Sequence, residues 1–157
     1  MKLNDKIIAY TMFYLLPLSL IGCFLLVNDK TINSTNVNNI YNDTLELSKL
    51  ISSECSNCDV LEKYLIGSVV INRLNHSDYP KTILNVIYDE NQFKGICNTQ
   101  YKSDSITYNI AKTLMLRGSL DTSILYFYLR KSIDLPWRKN LLIVYKMKYH
   151  DFGRARN

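Results

Sequence analysis

Hydrophobic and polar positions divide the chain into three stretches of different character. From Ile7 to Val27 runs a 21-residue segment without a charged side chain. As a helix rising ~1.5 Å per residue it would be about 31 Å long, enough to span a hydrocarbon core of ~30 Å. Residues 28–43 are polar, with Asn at 28, 33, 36, 38, 39 and 42, and read as a spacer. From residue 44 to 157 the spacing is that of a folded domain.

Within that domain the first helix is predicted to start near Asp43 or Thr44, because Asp43 and Glu46 have capping-box spacing. Leu47, Leu50 and Ile51 then form an i, i+3, i+4 stripe. Continued by i+7 and i+8, the stripe reaches Glu54 and Cys55. A carboxyl at the end of an apolar stripe is half desolvated and keeps its proton near neutral pH, as a general acid must. A helix that ended or rotated at Ser52–Ser53 would instead leave Glu54 in water. Leu61–Leu74 is apolar almost all round and predicts a central buried helix, with Gly67 and Ser68 admitting a close neighbour. Tyr79–Pro80 would open another helix with Pro in its first turn, burying Ile83, Val86 and Ile87. Asn91–Gly95 reads as a loop. Asp104 or Ser105 can cap a helix carrying Ile106, Ile110 and Leu114 and closed by Gly118. The period then changes to two. Leu125, Phe127 and Leu129 alternate with Tyr126, Tyr128 and Arg130, and Ile143, Tyr145, Met147 and Tyr149 with Val144, Lys146, Lys148 and His150. Two strands after a helical lobe make an α+β domain, mainly α.

Composition and charge narrow the setting. With 47% hydrophobic and 21% charged residues the chain is neither disordered nor a simple multi-span channel. Nineteen Lys and Arg against 14 acids leave +5, a balance that favours polyanions. Basic residues are dense at 139–148, but no nucleic-acid-binding motif stands beside them, so a solvated edge or a wall-binding surface is expected and a nucleic-acid partner is not. Lys2 and Lys6 precede the apolar run, whereas Asp29 and Lys30 beyond it cancel. The positive-inside bias puts the N-terminus in the cytoplasm and the folded domain outside, anchored through residues 7–27 or exported. A cleaved signal peptide competes with the anchor, because Pro17 and Gly22 interrupt the run. Leu20–Cys23 also resembles a lipobox, although Phe24–Val27 carries the apolar run past the Cys. Four Cys are too few for a disulfide scaffold. Cys55, Cys58, Cys97, His76 and His150 are zinc-ligand types, yet the second half of a paired-cysteine site is missing, and neither metal nor cofactor is expected. A disulfide from Cys97 to Cys55 or Cys58 suits an extracellular domain better.

Several motifs in order resemble the spore cortex-lytic (SleB-type) cell-wall hydrolases, relatives of the lysozyme-like lytic transglycosylases. Leu50-Ile51-Ser52-Ser53-Glu54 is similar to the segment ending in that family's catalytic Glu, and Asn72 in Val69-Val70-Ile71-Asn72-Arg73 follows it at the family's spacing. Tyr79–Ile83, Val86-Ile87-Tyr88, Gln92-Phe93, Leu125–Tyr128 and His150-Asp151-Phe152 complete the order. The resemblance implies a two-lobed domain with a small antiparallel sheet over residues 44–157. It also implies cleavage of the β-1,4 bond between N-acetylmuramic acid and N-acetylglucosamine, by a monomer acting on peptidoglycan glycan strands. Glu54 would be the catalytic acid, and Gln92, Phe93, Tyr126, Tyr128 and His150 would bind substrate. One departure stands out: the family's second Glu, four residues after the first, is Cys58 here. A membrane-tethered wall-binding protein with the same fold and no activity is the alternative reading.

Overall fold

The computed structural model describes residues 34–90, 92–93, 96, 103–132 and 136–156, with side chains from residue 38. The apolar run at 7–27 lies outside the described residues; among them no helix is long and apolar enough to cross a membrane. The chain divides after Val37, and the unit from Asn38 holds every element below except the first turn of α1.

Among the described residues four α-helices precede the sheet: α1 (Ser34–Glu54), α2 (Val60–Asn75), α3 (Ile83–Ile87) and α4 (Ser105–Arg117). Strands β1 (Tyr126–Leu129), β2 (Leu141–Lys146) and β3 (His150–Ala155) follow, with a 3-10 turn at Pro136–Asn140 before β2. The stripe Leu47, Leu50 and Ile51 on α1 is fully buried against Leu65, Ile66, Val69 and Val70 of α2 and Ile110, Ala111 and Leu114 of α4. Burying each such side chain stabilises by roughly 1.5–3 kcal/mol, so this three-helix contact is the main apolar core. Asp59 caps α2 by accepting from the Glu62 N–H, and Asp104 caps α4 by accepting from the Thr107 N–H. Lys63 joins the two helix starts, donating to Thr107 Oγ1 at 3.0 Å and lying 3.4 Å from Asp104 Oδ2. Gly118 ends α4 at φ 84°, a left-handed conformation open to glycine.

The sheet is antiparallel with β3 in the middle, in the order β1-β3-β2. Phe127 pairs with Phe152 and Leu129 with His150, and β2 meets β3 with Lys146 opposite Asp151. A register shift between Ile143 and Tyr145 makes a bulge at Val144. The fold is thus the expected mainly helical α+β arrangement with a small antiparallel sheet.

Three elements differ from the pattern reading. Helix α1 begins at Ser34 rather than near Asp43, so Asp43 is no cap. Once the packed half of a helix exists, each added residue gains a backbone bond, and the exposed Asn-rich turns extend it backwards. Helix α3 begins after Thr82, whose side chain accepts from the Asn85 N–H, leaving Pro80 outside it. Finally, the alternation from Ile143 to His150 is not one strand. The chain reverses between Met147 and His150, where the Met147 N–H donates to the His150 carbonyl at 2.8 Å. A two-residue reversal preserves the alternation on both sides and so hides itself from a period count.

Two glycines permit close approach. A Cβ at Gly67 would press on Leu114 Cδ1 and lie 2.9 Å from Ile51 Cδ1, both ends of flexible side chains. A Cβ at Gly153 would lie 2.5 Å from the Leu142 carbonyl oxygen, a rigid backbone atom in the neighbouring strand. Gly67→Ala also gains helix propensity of up to ~1 kcal/mol. Chemical denaturation is therefore expected to show a larger loss for Gly153→Ala than for Gly67→Ala, with Gly67→Val costing about 1–3 kcal/mol through overpacking. Equal losses for the two alanine variants would contradict this packing.

Candidate active site

Glu54 is the last residue of α1 and is half-buried. Burial raises its carboxyl above the ordinary value, and among the described residues no hydrogen bond or ion pair reaches it. The apolar stripe explains both features: the helix face that buries Ile51 turns Glu54 to the edge of the same core. A carboxyl so placed holds its proton at higher pH and can give it to a bound oxygen.

Directly after Glu54 the chain turns through Ser56 and Asn57, and Cys55 and Cys58 are joined by a disulfide with Cα atoms 5.4 Å apart. The pairing expected with Cys97 is corrected: the short turn between α1 and α2 brings the two neighbours together, and Cys97 lies outside the described residues. His150, at the start of β3, offers a ring nitrogen within 4.8 Å of the two sulfurs. His76 is elsewhere, its Nδ1 accepting from the Asp78 N–H at 3.2 Å.

His150 in turn is held by Glu62. Glu62 Oε1 accepts the backbone N–H groups of Tyr149 and His150 at 3.0 and 2.7 Å and lies 3.0 Å from His150 Nδ1. Both side chains are buried, at 0% and 1% exposure, and among the described residues Glu62 Oε2 has no hydrogen-bond partner. Phe127 meets the imidazole edge-on at 5.5 Å.

Beyond Phe127 opens a cleft of about 450 Å³ lined by Arg73, Gln92, Tyr126, Phe127, Trp137 and Asn140 among others. Arg73 organises it. Its Nε donates to the Leu125 carbonyl at 2.9 Å and its Nη1 to Gln92 Oε1 at 2.9 Å. The guanidinium lies 5.2 Å from the Tyr79 ring, 5.1 Å from Phe93 and 6.0 Å from Tyr126. Burial works against its charge, and the tyrosines partly offset that. The Tyr79 hydroxyl is pushed up to about 12, chiefly by burial and then by its hydrogen bond with Tyr126. Trp137, 41% exposed, stands 6.4 Å from Tyr126 and meets Tyr128 edge-on at 5.8 Å. Arg138 stacks on Tyr128 at 4.0 Å, and the Tyr128 hydroxyl donates to Asp151 Oδ2 at 3.3 Å. Aromatic faces with an amide and a guanidinium at one rim suit a ligand with both C–H faces and hydroxyl edges.

Of the residues assigned to substrate by resemblance, Gln92 and Tyr126 line this cleft, and Tyr128 borders it through Trp137. Phe93 and His150 do not face it: Phe93 is 4% exposed and packs under Arg73 and Phe127, and His150 is closed in by Glu62. Three residues given no role from sequence prove structurally central. Trp137 is the sole Trp, and its exposure beside tyrosines needs tertiary contacts to see. Arg73 and Glu62 left a signal, since each is a charge inside a helix otherwise apolar all round.

The cell wall hydrolase family matches residues 59–153, more than half of the chain, and the chain belongs to that family. The matched segment begins at residue 59, after Glu54. The fold is similar to the catalytic domain of the Bacillus cereus SleB protein, at 16% identity over 72% of this chain and 90% of that one, with a TM-score of 0.65. It is likewise similar to the catalytic domain of the germination-specific lytic transglycosylase SleB from Bacillus anthracis, at 18% identity over 72% of this chain and 94% of that one, with a TM-score of 0.63. No curated protein matches the chain.

Two outcomes follow from the acids. Truncating Glu62 to Ala orphans buried donors, each costing about 1–3 kcal/mol, and denaturant melts of the variant should show the loss. For Glu54 the raised carboxyl value means that the folded state binds the proton more tightly than the unfolded one. Its favourable contribution is complete below the unfolded value and is lost as pH rises through the folded value. Glu54→Gln should therefore gain stability relative to wild type as pH rises above the ordinary carboxyl range; a pH-independent difference would contradict the burial.

Proposed function

We propose that this chain cleaves peptidoglycan glycan strands at the β-1,4 bond between N-acetylmuramic acid and N-acetylglucosamine, as a lytic transglycosylase with Glu54 as its single acid and base. The observation that carries the reading is the half-buried carboxyl at the end of α1, with its raised proton affinity, in the fold of this family. Protonated Glu54 gives its proton to the glycosidic oxygen as the C1–O bond breaks. The resulting carboxylate takes the proton of the muramyl 6-hydroxyl, whose oxygen closes on C1. The product ends in a 1,6-anhydro sugar, no water is consumed, and Glu54 is protonated again.

Hydrolysis with retention or inversion needs two working carboxyls, about 5–5.5 Å or about 6.5–9.5 Å apart. The family's second Glu is replaced by Cys58, tied into a disulfide. Glu62 is no substitute: it is buried and committed to three donors. The cleft of Arg73, Gln92, Tyr126 and Trp137 would take neighbouring sugar rings, apolar faces on the aromatics and hydroxyls on the amide. A domain outside the cytoplasm, tethered or released at residues 7–27 and acting as a monomer, would meet this substrate.

Glu54→Gln keeps size and removes the transferable proton. Its rate on purified peptidoglycan should fall by at least ~10²–10⁴-fold, the range of general acid–base assistance, while the protein stays folded. An unchanged rate would refute the mechanism, and a wild type inactive on every peptidoglycan would favour a wall-binding role. Trp137→Ala should raise KM on the order of tenfold, ~1.4 kcal/mol of binding, with kcat little altered.

A further inference from the structure

The turn after Glu54 brings together a set of groups that the glycan reading does not use. Cys55 and Cys58 have the C-x2-C spacing of zinc-binding thiolates. The missing half of that site comes from the far end of the chain, because β3 delivers His150 to the same turn. Both sulfurs and a His150 ring nitrogen lie within 4.8 Å of one another. Around a tetrahedral zinc, with Zn–S ~2.3 Å and Zn–N ~2.0 Å, such atoms sit about 3.7 Å apart, so once the disulfide is reduced the two sulfurs must separate from bonding distance to take up the ion.

Glu62 supplies the second observation. Its Oε1 already accepts two backbone N–H groups and lies 3.0 Å from His150 Nδ1, so Nε2 is the ring nitrogen left to bind a metal. A carboxyl gripping the far nitrogen of a metal-binding imidazole is the usual outer-shell partner. Glu62 Oε2 is also buried without a partner among the described residues, a cost that a cation across the imidazole would offset.

We propose that the dithiol form of this protein binds one Zn²⁺ through Cys55 Sγ, Cys58 Sγ and His150 Nε2, with Glu62 orienting the imidazole and the fourth position open. Binding displaces the two thiol protons. Metal and disulfide are mutually exclusive: oxidation by an external disulfide takes two electrons from the thiolates, closes the Cys55–Cys58 bond, releases Zn²⁺ and, with two protons, yields two external thiols. Because Cys55 adjoins Glu54, this exchange occurs at the end of the helix that carries the candidate acid. The site stands independently of the glycan chemistry, since its test reads metal rather than cleavage.

The full-length protein, reduced with a phosphine that is then removed, would be titrated with Co²⁺ and back-titrated with Zn²⁺. The expected result is one Co²⁺ per chain, with thiolate-to-cobalt charge transfer and the intense d–d absorption of a tetrahedral ion, displaced by stoichiometric Zn²⁺. Cys58→Ser should abolish the charge transfer or weaken binding at least 100-fold, and Glu62→Gln should weaken it about 10–100-fold. Cys23→Ser and Cys97→Ser should leave it intact, and the disulfide form should not bind. The proposal is overturned if the dithiol protein takes up no Co²⁺, if dithiol and disulfide forms bind alike, or if binding survives Cys58→Ser and is lost in Cys97→Ser.

Discussion

The polar side chains buried at the two ends of α2 hold the helices and the sheet together. At its start Glu62 grips the backbone of Tyr149 and His150 where β3 begins. In its last turns Asn72 donates to the carbonyls of Asp121 and Ile124, both at 2.7 Å, and Arg73 to that of Leu125. These bonds fix the entrance to β1 and the entrance to β3. Each is made by a side chain that is itself buried, so losing one leaves a buried polar group poorly compensated. The apolar stripe of α1 then has only one way to seat on α2, with Gly67 allowing the close contact with Ile51 and Leu114. That seating carries Glu54 to the edge of the core.

Two glutamates eight residues apart in the chain thereby acquire opposite characters. Glu62 is saturated on one oxygen by backbone donors and a histidine, and its role is to position. Glu54 has burial without compensating donors among the described residues, and its proton is correspondingly retained. Environment, rather than residue type, separates the candidate catalyst from the brace. Arg73 makes the same link on the other side: one guanidinium orders a loop carbonyl, the Gln92 amide and three aromatic rings.

Much of this architecture is legible in the amino-acid sequence alone. Leu47, Leu50 and Ile51 repeat at helical spacing, Asp104 and Gly118 bracket α4, and the all-round apolar character of Leu61–Leu74 places α2 in the middle. These signals are local, and local physics governs them. What stays hidden depends on partners distant in sequence. The hairpin at Lys148–Tyr149 preserves the alternation it interrupts. The pairing of Cys55 with Cys58 depends on how sharply the chain turns after α1. His150 has the polar motif of a surface ligand for sugar, yet its burial is set by Glu62, 88 residues away. Trp137 shows its use only beside Tyr126 and Tyr128, which a sheet must first bring near it.

The central claim is that a lone, proton-retaining Glu54 uses the muramyl 6-hydroxyl in place of water. Digestion of purified peptidoglycan in heavy-oxygen water, followed by mass analysis of the new muramyl ends, tests it most directly. The account predicts 1,6-anhydro ends, one water lighter than reducing ends and free of the label. Labelled reducing ends would contradict it, because they require an activated water and a second carboxyl that this account leaves out.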